Sequence, residues 1–208
     1  FLPRIYDQNQ RANRAYSNYY QTYVERDVRQ LIKLKDVSLF EKFIKLLAGR
    51  VGQLVDYQSL SNDVGVSAIT IKQWLSILEA SFVVFKLPPY FEDFGKRVIK
   101  SPKYYFTDVG LLAYLLGIEQ SEQVSRDPLV GNIFENLVVI EALKDRYNQG
   151  RSADLYFFRD SNGVEIDLLC KTAAGLVGVE IKSSSTWHAK FAKGSLTFSG
   201  SNTPLSRG

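Results

Sequence analysis

The stretch that decides the fold is GVEIDLLCKTAAGLVGVEIKSSS, residues 163–185. It contains two short apolar runs, and each run carries a carboxylate where a fully buried strand would not tolerate one. These are Asp167 in the first run and Glu180 in the second, and Lys182 follows two positions later. The pattern predicts either a β-hairpin with a solvated charged face or a metal site.

The position of the turn fixes how the two strands pair. A four-residue turn at residues 172–175 places Asp167 directly opposite Glu180, and Glu165 opposite Lys182. All four side chains then share one face, because side chains alternate along a strand with a period of two. The other face is apolar and consists of Val164, Ile166, Leu168, Cys170, Val177, Val179 and Ile181. A slip of one residue would bury the charges, so the alternation predicts this register.

The pair of opposed carboxylates needs an explanation. Directly opposed side chains have Cβ atoms roughly 4.5–5.5 Å apart. Asp167 and Glu180 would therefore repel each other unless water screens them, or a proton or cation lies between them. Glu165 and Lys182 can simply pair. A solvated face accounts for both pairs, whereas a bound cation accounts specifically for the two carboxylates.

A helix before the hairpin supplies a third carboxylate. Residues 128–147 predict this helix, with Asp127 as its N-cap. Glu135 shares a face with the apolar residues three, four and seven positions later, which are Val138, Val139 and Ala142. A carboxylate on an apolar face is costly unless it is paired or bound to a metal. Glu135 is therefore predicted to join Asp167 and Glu180.

These three carboxylates offer only oxygen ligands. Such a set favours a hard cation, Mg²⁺ or Mn²⁺, over zinc. The cation would lower the pKa of a bound water and neutralise charge on a phosphate. Lys182 would orient that water or stabilise the charged transition state. We therefore predict hydrolysis of a phosphodiester, with Asp167, Glu180 and Lys182 as catalytic residues and Glu135, Asp167 and Glu180 as metal ligands.

The spacing of these residues resembles the PD-(D/E)XK nuclease family. The family's motif is similar to the pattern here, in which twelve residues separate Asp167 from Glu180 and one residue separates Glu180 from Lys182. With Glu135 on a preceding helix, the spacing is also similar to that in archaeal Holliday-junction resolvases. The resemblance lies in FENLVVIE, YFFRD, GVEIDLL and VGVEIKSS. It implies a core of a helix, a three-stranded meander, a helix and a further strand. The sequence departs from the family pattern in two ways. Ile166 rather than proline precedes Asp167, and the last strand is not evident, so we expect an incomplete domain.

An earlier segment predicts a helix–turn–helix at residues 57–79. Gly65 supplies the left-handed turn between the two helices, and Ser67 is a good N-cap for the second helix. The apolar stripe of that helix is Ile71, Trp74, Leu75 and Leu78. Short strands are predicted at residues 82–87 and 104–106. A helix–turn–helix followed by a hairpin is a winged-helix pattern.

The second helix of a winged helix often enters the major groove of DNA. Its exposed positions here are Ala68, Ile69, Lys72, Gln73 and Ser76. Only Lys72 is basic, whereas phosphate contacts normally use several basic residues. The hairpin region adds a better basic patch. The predicted DNA contacts are Lys72, Gln73, Lys96, Arg97, Lys100 and Lys103. The alternative use of this surface is contact with a protein.

A wider resemblance covers most of the chain. The stretches YVERDVRQL, GVS..T...WL.ILEASFVVFKLPPY, KRVIKSPKYYFTDVGLL and G..FEN.V, with dots for any residue, resemble the C-terminal part of a prokaryotic AAA-type ATPase family. The resemblance implies an ATPase domain before residue 1, followed by a winged helix and a domain of unknown function with the nuclease fold. This chain has no GxxxxGK[ST] phosphate loop. ATP is therefore expected only in the preceding domain, through which the protein could form homo-oligomers.

Composition sets wide bounds. The chain has 208 residues, of which 45% are hydrophobic and 23% charged, and its net charge is +4. These values are ordinary for a globular protein and compatible with nucleic acid. It has no run of about 18 apolar residues, no secretory signal and a single cysteine, so we expect no membrane span and a cytoplasmic location. It also has no methionine, so we expect a fragment of a longer protein.

Together these observations predict an α+β protein. Residues 1–38 are a helical linker from the ATPase domain, residues 39–118 a winged helix, and residues 125–208 a PD-(D/E)XK (restriction-endonuclease-like) α/β domain. The predicted function is a Mg²⁺-dependent DNA endonuclease module of an AAA-type ATP-binding protein. The alternative is a non-catalytic, regulatory module of the ATPase that binds DNA or protein.

Overall fold

The described residues near the N-terminus are mainly helical. In the computed structural model, helix α1 spans Ala12–Tyr19, a π-helical segment follows at Tyr20–Val28, and helix α2 spans Val37–Ala48. The buried residues of α2 are Phe40, Phe43, Ile44, Leu47 and Ala48. The structure describes residues 5, 7, 8, 10–28, 37–90, 100–160, 163–173 and 175–183.

The predicted helix–turn–helix forms at the expected residues. Helix α3 spans Tyr57–Val64, and helix α4 spans Ala68–Ala80. Gly65 lies between them with a φ of 94°, a left-handed conformation that glycine adopts without steric cost. The Ser67 side chain accepts a hydrogen bond from Thr70 N at 3.1 Å and caps α4. Both sequence predictions are confirmed.

An antiparallel hairpin follows the two helices, as predicted. Strand β1 spans Val84–Leu87 and strand β2 spans Lys103–Phe106, with Val84 opposite Phe106 and Leu87 opposite Lys103. Helix α5 then spans Val109–Leu115. Lys96 and Arg97, predicted DNA contacts in the connection between the strands, lie outside the described residues.

A long helix leads into the second sheet. After the short helix α6 at Ser121–Val124, helix α7 spans Val130–Asn148. Asp127, the predicted N-cap, instead accepts a hydrogen bond from Leu129 N at 2.7 Å and forms a turn before the helix. The helix therefore starts two residues later than predicted. None of the helices in the described part of the chain is both long enough and apolar enough to cross a membrane.

The second sheet contains the hairpin predicted from residues 163–185. Its strands are β3 at Leu155–Arg159, β4 at Glu165–Thr172 and β5 at Gly175–Val179, antiparallel in that order. The β4–β5 register is the predicted one, and its pairs include Leu168 with Val179 and Lys171 with Leu176. Pairing continues as far as Thr172 with Gly175, so the turn is tighter than predicted.

The pairing of β3 with β4 contains a β-bulge that the sequence analysis did not predict. The pairs on either side of it are Tyr156 with Leu169 and Phe158 with Ile166. Asp167 and Leu168 therefore share one position opposite β3. A bulge adds a residue to one strand and re-aims its side chains.

The bulge corrects the prediction of a single apolar face. Ile166 packs with Leu169 and Leu176 in a small cluster, whereas Leu168 packs in the main core. Without the bulge, Ile166 and Leu168 would share one face. The alternation of β4 is thus reversed at Asp167, which changes the direction of Glu165 as well.

The helix–hairpin half (residues 37–118) and the sheet half (residues 130–183) share one hydrophobic core. Several hydrogen bonds join them, including two reciprocal sets. The Asn136 side chain donates to Phe106 O at 2.9 Å and accepts from Phe106 N at 2.7 Å. Tyr90 N donates to Phe157 O at 2.7 Å, and Phe157 N donates to Pro88 O at 3.1 Å. Both halves therefore contribute to any cleft at their boundary.

Candidate active-site cleft

A cleft of about 470 Å³ lies where the two halves meet. The helix–hairpin half contributes Gly52, Gln53, Leu54 and Lys103 to its lining. The sheet half contributes Asn132, Glu135, Arg159, Glu165 and Asp167. The lining is thus polar and charged, which suits an ionic ligand better than an apolar one.

The three predicted catalytic residues lie together beside this cleft. Asp167 is buried, and its Oδ2 accepts hydrogen bonds from Ile181 N at 2.8 Å and from Lys182 Nζ at 3.0 Å. The same Nζ lies 2.8 Å from Glu180 Oε1. Burial lowers the pKa of Lys182, but its bonds to the two carboxylates outweigh burial and hold the pKa above its usual value. Lys182 is therefore a charged bridge between Asp167 and Glu180.

Glu180 has one oxygen in an unusual environment. Its Oε2 is buried and has no hydrogen-bond partner among the described residues. Burial raises the pKa of Glu180, and the nearby Asp167 carboxylate adds to the rise, while Lys182 offsets part of it. An unpaired buried acceptor is costly and indicates a missing partner such as a cation or a water.

Glu135, the third predicted ligand, is held by other groups. Its Oε1 accepts hydrogen bonds from Lys103 Nζ at 3.0 Å and from Tyr105 OH at 2.5 Å. Burial raises the pKa of Glu135, although Lys103 offsets part of the rise. Within the described ranges, no group of three Asp, Glu, His or Cys residues is placed to hold a metal ion. The predicted three-carboxylate set is therefore not assembled, because Lys103 and Tyr105 engage Glu135.

The position of Lys103 shows that its prediction as a DNA contact was wrong. It was expected in an exposed basic patch, but only 3% of its surface is exposed. Its Nζ lies 3.0 Å from Glu135 Oε1, 2.8 Å from Glu165 Oε1 and 5.4 Å from the centroid of the Phe157 ring. Burial lowers the pKa of Lys103, but the two carboxylates outweigh it and leave the pKa above its usual value. Lys103 is therefore a buried cation of the cleft and does not face DNA.

Glu165 also has different partners from those predicted. The prediction paired it with Lys182, whereas it lies 2.8 Å from Lys103 Nζ and 3.4 Å from Arg159 Nη1. The bulge at Asp167 explains the exchange, since it turns Glu165 toward the cleft. Arg159 Nε is buried without a hydrogen-bond partner among the described residues. The cleft thus has an unpaired donor in Arg159, and an unpaired acceptor lies nearby in Glu180.

The predicted DNA-contact face of α4 is exposed. Lys72 and Gln73 are exposed, and Ile69 beside them is 69% exposed. Lys72 Nζ lies 5.2 Å from the centroid of the Tyr57 ring. Lys100 is exposed before β2. These positions are accessible, and their contact with DNA stays a prediction.

Sequence reasoning missed three features of the cleft: Lys103, Tyr105 and the loop at Gly52. The signal for Lys103 was available, because a lysine in the buried strand KYYF requires a carboxylate partner. Gly52 has a φ of 68°, and a Cβ there would lie 3.4 Å from Glu135 Oε2 and from Asn132 Nδ2. This close approach joins two distant segments, and no local pattern in the sequence marks it.

The fold and the cleft define a class: a mixed α+β protein whose described residues form two small antiparallel sheets, with a carboxylate–lysine cleft between its halves. The chain belongs to the family described as Domain of unknown function (DUF8612), whose model matches residues 1–122. A second family model, Domain of unknown function (DUF4143), matches residues 130–207. Lys103 therefore comes from the first match, whereas Glu135, Asp167, Glu180 and Lys182 come from the second.

Three curated relatives cover most of the chain. Uncharacterized protein Mb2031c of Mycobacterium bovis and Uncharacterized protein Rv2008c of Mycobacterium tuberculosis are each 33% identical over 168 residues, 81% of this chain. An uncharacterized protein of Haemophilus influenzae is 29% identical over 171 residues, 79% of the chain. The chain spans 37% of the length of each mycobacterial relative and 39% of the Haemophilus relative. No solved structure matches the chain.

Proposed function

We propose that the cleft is the active site of a Mg²⁺- or Mn²⁺-dependent phosphodiesterase that cleaves DNA. The observation that carries the proposal is the position of Lys182 Nζ, 3.0 Å from Asp167 Oδ2 and 2.8 Å from Glu180 Oε1. Two carboxylates and a lysine, one carboxylate on β4 and the other two groups directly after β5, are the set that the PD-(D/E)XK resemblance requires. We also propose that the sheet half has that nuclease fold.

The residues present fit a divalent cation held by two carboxylates. Asp167 uses Oδ2 for both of its hydrogen bonds, and Glu180 Oε2 is buried without a partner among the described residues. One oxygen of each carboxylate is therefore available. Mg²⁺ commonly binds one or two carboxylates together with waters and substrate phosphates. When bound, the cation would lower the pKa of a water and neutralise charge on the phosphate.

The protein's own groups would position this chemistry. The Ile181 backbone N–H fixes the orientation of the Asp167 carboxylate. Lys182 carries its proton at Nζ beside both carboxylates, where it would stabilise negative charge that develops on a phosphate oxygen. The guanidinium of Arg159 lines the cleft and has an unpaired Nε. It would hold a phosphate of the DNA backbone.

DNA would be bound by the helix–hairpin half. Lys72 and Gln73 on α4 and Lys100 before β2 are exposed, and we propose that they contact the DNA backbone. Lys96 and Arg97 belong to the same proposed interface from the sequence alone. Lys103 does not, since its ammonium is buried among carboxylates.

We further propose that the chain is the C-terminal part of an AAA-type ATPase. Support comes from the resemblance of its sequence stretches to that family and from the matching relatives, which are more than twice as long. ATP binding and oligomer formation would then belong to the preceding part. Nucleotide binding by the longer protein, measured with and without this chain, tests the assignment.

A second candidate function is a non-catalytic module that binds DNA or protein. The observation that favours it is the internal pairing of charges: Lys182 is shared by two carboxylates, and Lys103 by two others. A cleft whose charges compensate each other can be a structural joint. Only a measurement of cleavage separates the two functions.

The test is cleavage of plasmid and branched DNA by the longest available protein in Mg²⁺ or Mn²⁺. Asp167→Ala should abolish cleavage and leave DNA binding intact. The matched control is Asp145→Ala, at an exposed aspartate on α7 whose carboxylate contacts only Gln149 in the described region. If wild-type protein and Asp167→Ala give the same products at the same rate, the phosphodiesterase proposal is wrong and the non-catalytic module remains.

A further inference from the structure

The most unusual group in the cleft is Lys103. It belongs to β2 of the helix–hairpin half, yet its Nζ bonds to Glu135 on α7 and to Glu165 on β4. Its side chain is 4% exposed, which is rare for lysine unless it is fully paired.

The charges around the cleft show what Lys103 does. Four carboxylates, Glu135, Glu165, Asp167 and Glu180, lie with three cations, Lys103, Arg159 and Lys182. The formal charge of this group is therefore −1 when Lys103 is present and −2 when it is neutral. The carboxylates form two pairs, and a lysine ammonium lies between the members of each pair.

The two pairs are not equivalent. Between Asp167 and Glu180, Lys182 leaves one buried oxygen, Glu180 Oε2, without a partner. Between Glu135 and Glu165, the Lys103 ammonium lies within 3.0 Å of an oxygen of each, and Tyr105 OH also bonds to Glu135. Both pairs therefore have a lysine ammonium from the protein, but among the described residues only the first pair keeps a buried carboxylate oxygen without a partner.

We propose that Lys103 is a built-in cation that occupies a second metal position and limits the cleft to a single divalent ion. This inference rests on the proposed function, because it assumes that Asp167 and Glu180 hold the first ion. Lys103 acts through Glu135 and Glu165 and is a positioning residue. It also makes the site composite, since the helix–hairpin half must be docked for Glu135 and Glu165 to be neutralised.

The experiment counts bound Mn²⁺ by electron paramagnetic resonance and calorimetry, with the longest available protein. Lys103→Met removes the charge and keeps a side chain of similar length, and it should bind one Mn²⁺ more than the wild type. Lys103→Met/Glu165→Gln restores the formal charge of the group and should lose the additional ion. Lys171→Met, at an exposed lysine on β4 outside the cleft lining, is the matched control and should keep the wild-type count.

Each outcome decides one of the two claims. If Lys103→Met binds no more Mn²⁺ than the wild type, Lys103 does not occupy a metal position and the inference is wrong. If the wild type binds none, the proposed function fails, and the difference between wild type and variant still tests Lys103. Should Lys103→Met not fold, Lys103→Gln retains a hydrogen-bond donor without the charge and undergoes the same titration. Lys103→Arg, which keeps the charge, should bind as the wild type does.

Discussion

The exposed face of α4 and the cleft are both polar, but their charges are arranged in opposite ways. On α4, Lys72 is solvated and its only described ring contact is with Tyr57. Lys103, buried in the cleft, and Lys182, exposed beside it, each contact two carboxylates. A solvated charge can be removed alone at little cost, whereas removal of one buried partner leaves another unpaired. The first region suits adjustable binding, and the second suits a fixed geometry for chemistry.

The largest expected effect is on the cleavage rate, and it should arise from a change in the cleft and not from one on α4. Asp167→Asn keeps the size of the side chain but removes the charge that would hold the cation and pair with Lys182. We expect a loss of about 10³-fold in the cleavage rate, since a bound metal ion contributes several kcal/mol to the transition state. DNA affinity should change little, as measured by fluorescence anisotropy. Equal losses of affinity and rate would show that the cleft serves binding alone.

The next effect concerns one of the contacts between the helix–hairpin half and the sheet half. Asn136→Ala removes both side-chain bonds to the Phe106 backbone at a fully buried position. We expect a loss of about 2–4 kcal/mol in the free energy of unfolding, because the buried N–H and C=O of Phe106 lose their partner. Chemical denaturation measures it, with exposed Asn148→Ala on the same helix as control. A loss no larger than that of the control would mean that the two halves are joined by other contacts.

A smaller effect belongs to the α4 face. The pair Lys72→Ala and Gln73→Ala should weaken DNA binding by a few fold and lower the slope of log affinity against log salt by about 1, since one phosphate contact is lost. Cleavage at saturating DNA should be unchanged. The measurement is anisotropy over a series of salt concentrations. An unchanged slope would place the DNA elsewhere, and α4 would be free for a protein contact.

The smallest effect concerns Cys170 on β4. Cys170 is half-buried against the main core, and burial raises the pKa of its thiol. We expect it to react with iodoacetamide several-fold more slowly than an exposed cysteine, and to gain reactivity only at higher pH because the thiolate is the reactive form. A pH series of alkylation rates, read by mass spectrometry, checks this. A rate equal to that of a cysteine peptide at neutral pH would show that the Cys170 thiol is not shielded by the core.

The local parts of the fold follow from the sequence, and the long-range parts do not. The β4–β5 register is set by the alternation on either side of Thr172, and Gly65 and Ser67 each have a local reason for their position. The bulge at Asp167 depends on pairing with β3, where nothing local requires an extra residue. A prediction based on strict alternation was therefore right for the pairing of β4 with β5 and wrong for the pairing of β4 with β3.

The same distinction holds for the cleft. Asp167 lies on β4, and Glu180 and Lys182 directly follow β5, so their proximity follows from the hairpin register. Glu135 was expected to join them because it is a carboxylate on an apolar face. Its actual partner, Lys103, lies 32 residues earlier in the chain and on the other half of the protein. A place beside Asp167 and Glu180 and a place beside Lys103 could each explain the buried carboxylate of Glu135. Only the tertiary structure distinguishes these two arrangements.

The most direct test of the central claim is a crystal of the protein soaked in saturating Mn²⁺, with anomalous diffraction measured at the manganese edge. A single peak between Asp167 and Glu180, with none between Glu135 and Glu165, is the predicted result. The first part reports a divalent ion at the proposed catalytic residues, and the second reports that Lys103 keeps the other pair of carboxylates closed to metal. Absence of a peak at Asp167 and Glu180 would contradict the assignment of this cleft as a metal-dependent active site.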